Sequence, residues 1–255
     1  MVEKWKIALK EFLDNYKEDD DVIGAILCGS YANGTYNENS DIDVQLILKN
    51  SATYQERGNT ESNSYLIEYA INPKYVIRDY FKKQYENGQM PLIYMFAYGK
   101  IIYDLDGSTE ELQKLALDYI DKPLDPISSE KLEKNNYRIW DKHDELKVAL
   151  KEERDDFLSI YYVLLNDIYN CYCEYIAVPK YPDAKLYKIL TDEEYRKKHH
   201  IFKLPEEEFI RLYLKCYDLK DMNVMYKNIT KLIEYYYNVQ GGFNIRTFLR
   251  KRVLD

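Results

Sequence analysis

Apolar positions along this chain recur with more than one period, and each period predicts a different element. Val2, Trp5, Ala8, Leu9, Phe12, Leu13 and Tyr16 fall at steps of three and four, which predicts an amphipathic helix over residues 2–17, closed by the acidic run Glu18-Asp19-Asp20-Asp21. Two continuous apolar runs follow, VIGAILC at 22–28 and IDVQLIL at 42–48. Both are short and bounded by turn residues, so they predict buried strands. The segment between them carries Gly34 and three asparagines and reads as turns. A third strand is expected over 64–71 (SYLIEYAI), stopped by Asn72-Pro73, then a helix over 75–86, a strand over 99–103 (GKIIY) and a turn at Asp104-Leu105-Asp106-Gly107.

The pattern changes near residue 120. Asp121-Lys122-Pro123-Leu124-Asp125-Pro126 reads as a linker, and strand signals are absent beyond it. Long helices are predicted over 129–152 and 155–176, with Pro179 and Pro182 interrupting, and another over 206–218. Met222, Met225, Tyr226, Ile229, Leu232, Ile233 and Tyr236 form a stripe at helical spacing that reads as core, ended by Gly241-Gly242. A short basic helix is expected over 244–253. The expectation is two domains, 1–120 with mixed strands and helices and 121–255 all helical.

Composition narrows the function classes. Apolar residues make up 46% of the 255, enough for a core, yet no run of about 18 apolar residues exists, so no membrane span is expected. The start, Met1-Val2-Glu3-Lys4-Trp5, is charged and lacks a signal peptide's apolar stretch. Cys28, Cys171, Cys173 and Cys216 show no zinc-type spacing and read as reduced thiols of a cytoplasmic protein. A net charge of −8 and the lack of a basic, aromatic-interleaved stretch argue against a nucleic-acid partner. The 28 tyrosines fall largely at core-facing helical positions, where packing explains most of them.

The chemistry concentrates in LCGSYANGTYNENSDIDVQLIL, residues 27–48. On a strand, residues i and i+2 share a face, so Asp41 and Asp43 project side by side. Two like charges at that spacing need a cation, and two carboxylates form a hard oxygen site suited to Mg²⁺. Gly29 lets backbone amides approach a ligand closely, Ser30 adds a hydroxyl, and amides in such a turn favour a phosphate. Metal plus phosphate cradle suggests a nucleoside triphosphate. The plain alternative is an Asp-rich turn with solvated carboxylates. Five fixed letters at roughly 6% usage recur by chance in about two of 10,000 chains of this length, so the coincidence is unfavoured.

Gly29-Ser30, a nine-residue gap and Ser40-Asp41-Ile42-Asp43 resemble the signature of the DNA polymerase β-type nucleotidyltransferases. Glu68, mid-strand in Tyr65-Leu66-Ile67-Glu68-Tyr69, is similar to the third carboxylate of the antibiotic adenylyltransferases, including the streptomycin/spectinomycin type. Its apolar neighbours also ask for a reason to place a charge there. Glu61 is the rival, in polar Glu-Ser-Asn surroundings that read as a loop. The resemblance implies an α+β nucleotidyltransferase domain, a mixed sheet flanked by helices, followed by an all-α helical bundle. It implies Asp41, Asp43 and Glu68 as catalytic and metal-binding residues, with two Mg²⁺ ions assisting transfer of AMP from ATP, or of another nucleotide, to a small hydroxylated acceptor. An aminoglycoside or lincosamide antibiotic is the natural acceptor by this resemblance. Glu68 would bind metal or act as general base, and Ser40 would fix the Asp41 backbone locally. The alternatives are a minimal nucleotidyltransferase that modifies a partner toxin and a degenerate nucleotide-binding module. The sequence is compatible with a homodimer.

Further candidates lie downstream. Pro179-Lys180 and Ala184-Lys185 resemble the Pro-Lys-x-x-Ala segment of the streptomycin-type enzymes, which would bring Lys180 and Lys185 to the triphosphate; against this, both read equally as exposed loop lysines. His199-His200 reads as a surface loop, because adjacent residues do not share a helix face. His143, among charges on a helix, reads as solvated. Arg246, Arg250, Lys251 and Arg252 read as a solvated basic helix end.

Overall fold

Strand β1 (Val22–Cys28) has no exposed residue, and β2 (Ile42–Leu48) is buried at every position but Asp43. Such runs need cover on both faces, and the topology provides it. A computed structural model of the chain describes residues 3–219 and 221–249. With β3 (Glu56–Ser62), β4 (Tyr65–Pro73) and β5 (Lys100–Asp104), the strands form one sheet in the order β3-β4-β2-β1-β5. The β2–β4 pair is parallel and the other pairs are antiparallel, so the sheet is mixed.

Helix α1 (Lys4–Asp14) covers one face. Its Leu9, Phe12 and Leu13 pack on Val44, Leu46, Ile67 and Ile71, which point to that side by strand alternation. The predicted helix thus forms, three residues shorter at its C-terminal end, and Val2 lies outside the described residues. The short α2 (Gly29–Asn33) leads from β1 toward the turns. Helices α3 (Lys74–Asn87), α4 (Pro91–Ala97) and α5 (Ser108–Asp121) cover the opposite face through Ile77, Phe81, Ile93, Phe96 and Leu112.

The chain divides into two compact units: residues up to Leu124 together with Glu194–Ile201, and Asp125–Glu193 together with Phe202 onward. The second unit is all helical among the described residues: α6 (Ser129–Lys151), α7 (Phe157–Tyr175), α8 (Asp183–Thr191), α10 (Glu207–Lys215) and α11 (Met222–Asn238). The intervening α9 (Glu193–Lys198) falls almost wholly in the first unit. The core of the second unit is rich in tyrosine, with Tyr161, Tyr169, Tyr172 and Tyr236 fully buried. Tyr172 stacks on Phe209 at 3.6 Å between centroids, and Tyr161 donates to the Cys216 carbonyl at 2.7 Å. The four cysteines are free and buried, and burial pushes Cys171 up to about 11 and Cys173 and Cys216 to about 12. They are packing thiols rather than nucleophiles.

Sequence reading missed β3, α4, α5, α8 and α9, and read the short α2 as part of the turns. It also assigned a helix to 244–253, where the described part holds only a 3-10 turn, Ile245–Thr247; Arg250, Lys251 and Arg252 lie outside the described residues. His143 is a correction of the solvated reading. It is half-buried, with Nε2 2.9 Å from Thr230 Oγ1 and its ring stacked on Tyr226, so burial lowers its pKa.

Candidate active site

The site begins where β1 ends. Gly29 has φ +62°, and a Cβ built on it would sit 2.0 Å from Asp43 Oδ2. Glycine is therefore required twice there, for the left-handed backbone and for the close approach of the carboxylate. Gly34, also left-handed at φ +76°, closes α2. The turns that follow are built by their own polar side chains. Asn33 Oδ1 accepts from Thr35 N and Oγ1, Asn37 Oδ1 accepts from Asn39 N, and Ser40 Oγ accepts from Asn37 N at 2.9 Å. Tyr36 stacks on Tyr31 at 4.4 Å. These contacts hold the segment that delivers Asp41 to the mouth of β2, and Ser40 bonds locally there.

Strand register does the rest. Cys28 pairs with Asp43 across β1–β2, and Asp43 pairs with Glu68 across the parallel β2–β4 ladder. Asp41 and Asp43 share a face by alternation, and Glu68 stands beside them. One carboxylate oxygen from each lies within 4.8 Å of the others, and all three residues are half-buried. Glu61, the rival, sits on β3 opposite Leu66 and is exposed. Glu68 also accepts from Arg57 Nη2 at 2.5 Å, a partner on β3 that is 77% exposed. Arg57 escaped sequence reading because β3 itself did.

Three carboxylates at this separation repel one another unless a cation offsets them, and an all-oxygen set of this kind suits Mg²⁺. The glycine that makes room for Asp43 supports the same reading. The residues present therefore fit a divalent metal, which Asp41, Asp43 and Glu68 could hold.

The family model described as "Nucleotidyltransferase domain" matches residues 7–104, a span that includes β1 to β5 and all three carboxylates. The chain carries a nucleotidyltransferase domain. No curated protein matches the chain at a significant level. Among solved structures, a nucleotidyltransferase-like protein from Exiguobacterium sibiricum 255-15 is 9% identical at TM-score 0.48, covering 93% of this chain and 77% of that one. Spectinomycin adenyltransferase AAD(9) from Enterococcus faecialis, solved with ATP and spectinomycin, is 16% identical at TM-score 0.33, covering 91% and 98%. At these values neither structure bears on the acceptor.

The nucleotidyltransferase domain also gathers residues that the sequence left apart. His199 Nδ1 lies 3.3 Å from Asn33 Nδ2, and the His200 ring stacks on Tyr98 at 3.9 Å. Both histidines lie in a turn, with His200 exposed, as the surface-loop reading expected, and both are engaged within the first unit. Lys180, in contrast, is a correction. It belongs to the helical unit, is only 11% exposed, and pairs with Glu174 at 2.9 Å. Glu174 also accepts from Asn135 and pairs with Lys131. Burial raises its pKa, but the hydrogen bonds from Lys180 and Asn135 outweigh burial and leave the carboxyl below its ordinary value. Lys185 is exposed on α8.

Proposed function

We propose that this chain transfers a nucleoside monophosphate, AMP from ATP, to a hydroxyl group of a small molecule. The convergence of Asp41, Asp43 and Glu68 within 4.8 Å, inside a nucleotidyltransferase domain, carries this reading. Mg²⁺ held by the three carboxylates would supply positive charge against the triphosphate and the leaving pyrophosphate. Gly29 and Ser30 offer an unobstructed backbone and a hydroxyl donor to the phosphates.

The covalent step balances simply. The acceptor oxygen forms a bond to the α-phosphorus, the bond from that phosphorus to pyrophosphate breaks, and the acceptor proton leaves to a base. Glu68 is the proposed base, and for that role it must reach within about 3 Å of the hydroxyl. Its pairing with the exposed Arg57 is easily exchanged, since such a pair is worth only about 0–1 kcal/mol. A cavity of about 700 Å³ beside Glu68 favours a small acceptor over a protein side chain.

The test is transfer from labelled ATP to a panel of aminoglycosides, lincosamides and neutral glycosides, read as a mass gain of one nucleoside monophosphate. The expected result is labelled acceptor from the wild type and a loss of 100-fold or more in Glu68→Gln. Label found only on a co-purified protein would reject the small-molecule acceptor.

A further inference from the structure

Two residues beyond Asp43, on the same face of β2, stands Gln45. It is 7% exposed, and its side-chain amide makes no hydrogen bond to any described residue. The amide borders the adjoining cavity, where a ligand or water can hydrogen-bond both its donor and its acceptor. Its neighbour across the ladder is Ala70, whose methyl leaves open the space a larger side chain would close. The 700 Å³ cavity occupies that space, with Asp43 and Glu68 at one end and Gln55, Asn72 and Tyr80 farther along the strands. Gln55 Nε2 donates to Asn72 Oδ1 at 2.7 Å and to Tyr80 OH at 3.1 Å. That arrangement leaves Gln55 Oε1 and Asn72 Nδ2 without a hydrogen bond among the described residues. Leu92 and Met95 from α4 form the apolar wall.

The charges lining this space decide the class of ligand. Apart from Asp43 and Glu68, only Glu56 and Arg57 are charged, with opposite signs, and Glu56 already accepts from Tyr69 OH at 2.6 Å. With Asp43 and Glu68 committed to the proposed divalent metal, a polyamine buried here would meet only Glu56, balanced by Arg57, and no surplus of carboxylates to offset its desolvation. Side-chain amides, by contrast, present donor and acceptor together, which is what a hydroxyl needs.

We propose that this cavity is the acceptor pocket and that it takes an uncharged, hydroxyl-rich ring compound of mono- to disaccharide size. Gln45, Asn72 and Gln55 read its hydroxyls, and Leu92 and Met95 cover its C–H face. The identification as an acceptor pocket rests on the proposed nucleotidyl transfer, because Glu68 stands at its end.

The test is ligand-observed saturation-transfer NMR on the full chain with saturating Mg²⁺ and without nucleotide. Uncharged methyl glycosides and disaccharides are compared with polyamino glycosides such as kanamycin. The uncharged set is expected to receive saturation. Gln45→Leu, close in shape, should weaken it at least ten-fold, and Ala70→Phe should abolish it. Gln55→Ala, at an exposed position where the fold is not at risk, should weaken it several-fold; circular dichroism checks Gln45→Leu and Ala70→Phe. Preference for the polyamino set, no binding of either set, or binding indifferent to Gln45→Leu and Gln55→Ala would overturn the proposal. The two readings fail separately. Transfer of label onto polyamino compounds would remove the pocket assignment and leave the nucleotidyl transfer. Sugar binding that obeys the variants, in a chain that never binds or consumes ATP, would do the reverse.

Discussion

Gly29 shows how much of the site depends on a missing side chain. Alanine there costs about 1–2 kcal/mol from the left-handed backbone alone. Its methyl would also displace the Asp43 carboxylate, which lies 2.0 Å from the Cβ position. Gly29→Ala is therefore expected to lower the melting temperature modestly and to reduce nucleotidyl transfer far more, a split seen by measuring both. Arg57 predicts the opposite division. Its pair with Glu68 is exposed, so Arg57→Ala should leave the melting temperature nearly unchanged. Removing a cation beside three carboxylates should lower the Mg²⁺ concentration needed for half-maximal activity several-fold, as a metal titration would read; an unchanged or raised requirement would count against the metal assignment. Asp41 and Asp43 were legible because period-two spacing alone puts them on one face. Glu68 was legible because a charge inside an apolar run needs a reason. Gln45 was not, since a single polar residue in a buried strand shows no partner until the neighbouring strand, with Ala70, is in place.

Continuous apolar runs and most periodic stretches were readable, and elements held by remote partners were not. Helix α5 was passed over despite Leu112, Leu115, Ala116 and Tyr119 at helical spacing. Strand β1 and strand β2 fall where their apolar runs end. Strand β3, ERGNTES, has no buried residue and exists because one edge pairs with β4. Helix α4 has seven residues; its first amides are accepted by Gln84 from α3, and Gln113 of α5 donates to the Phe96 and Gly99 carbonyls at its end. Those caps come from other helices, and the local signal, Pro91 at the first position, heads a helix of only seven residues. The contact between α6 and α11 at His143 carries a pH prediction. Burial holds this histidine below its ordinary value of 6.5, so the unfolded chain binds more protons between the two values. Stability is then full above about pH 6.5 and is lost as pH falls through the folded value. Melting curves from pH 7.5 to 5 should fall less steeply in His143→Phe, which keeps a ring against Tyr226. Equal slopes would show that His143 does not titrate in this window.

At the scale of the whole molecule, the sequence carried the change from a mixed sheet with helices to helices alone. It did not carry the return of Glu194–Ile201 to the first unit, because His199 and His200 find Asn33 and Tyr98 only through the tertiary fold. The net charge of −8 adds a constraint on the proposed chemistry. An acidic chain that binds a triphosphate needs local cations, and the carboxylate cluster makes a metal the first of them. The most direct measurement is calorimetric binding of a non-hydrolysable ATP analogue with and without Mg²⁺, to the wild type and to Asp41→Ala/Asp43→Ala. The account predicts binding that requires Mg²⁺ in the wild type and is lost in the double variant. Mg²⁺-dependent binding that survives in the double variant would contradict it.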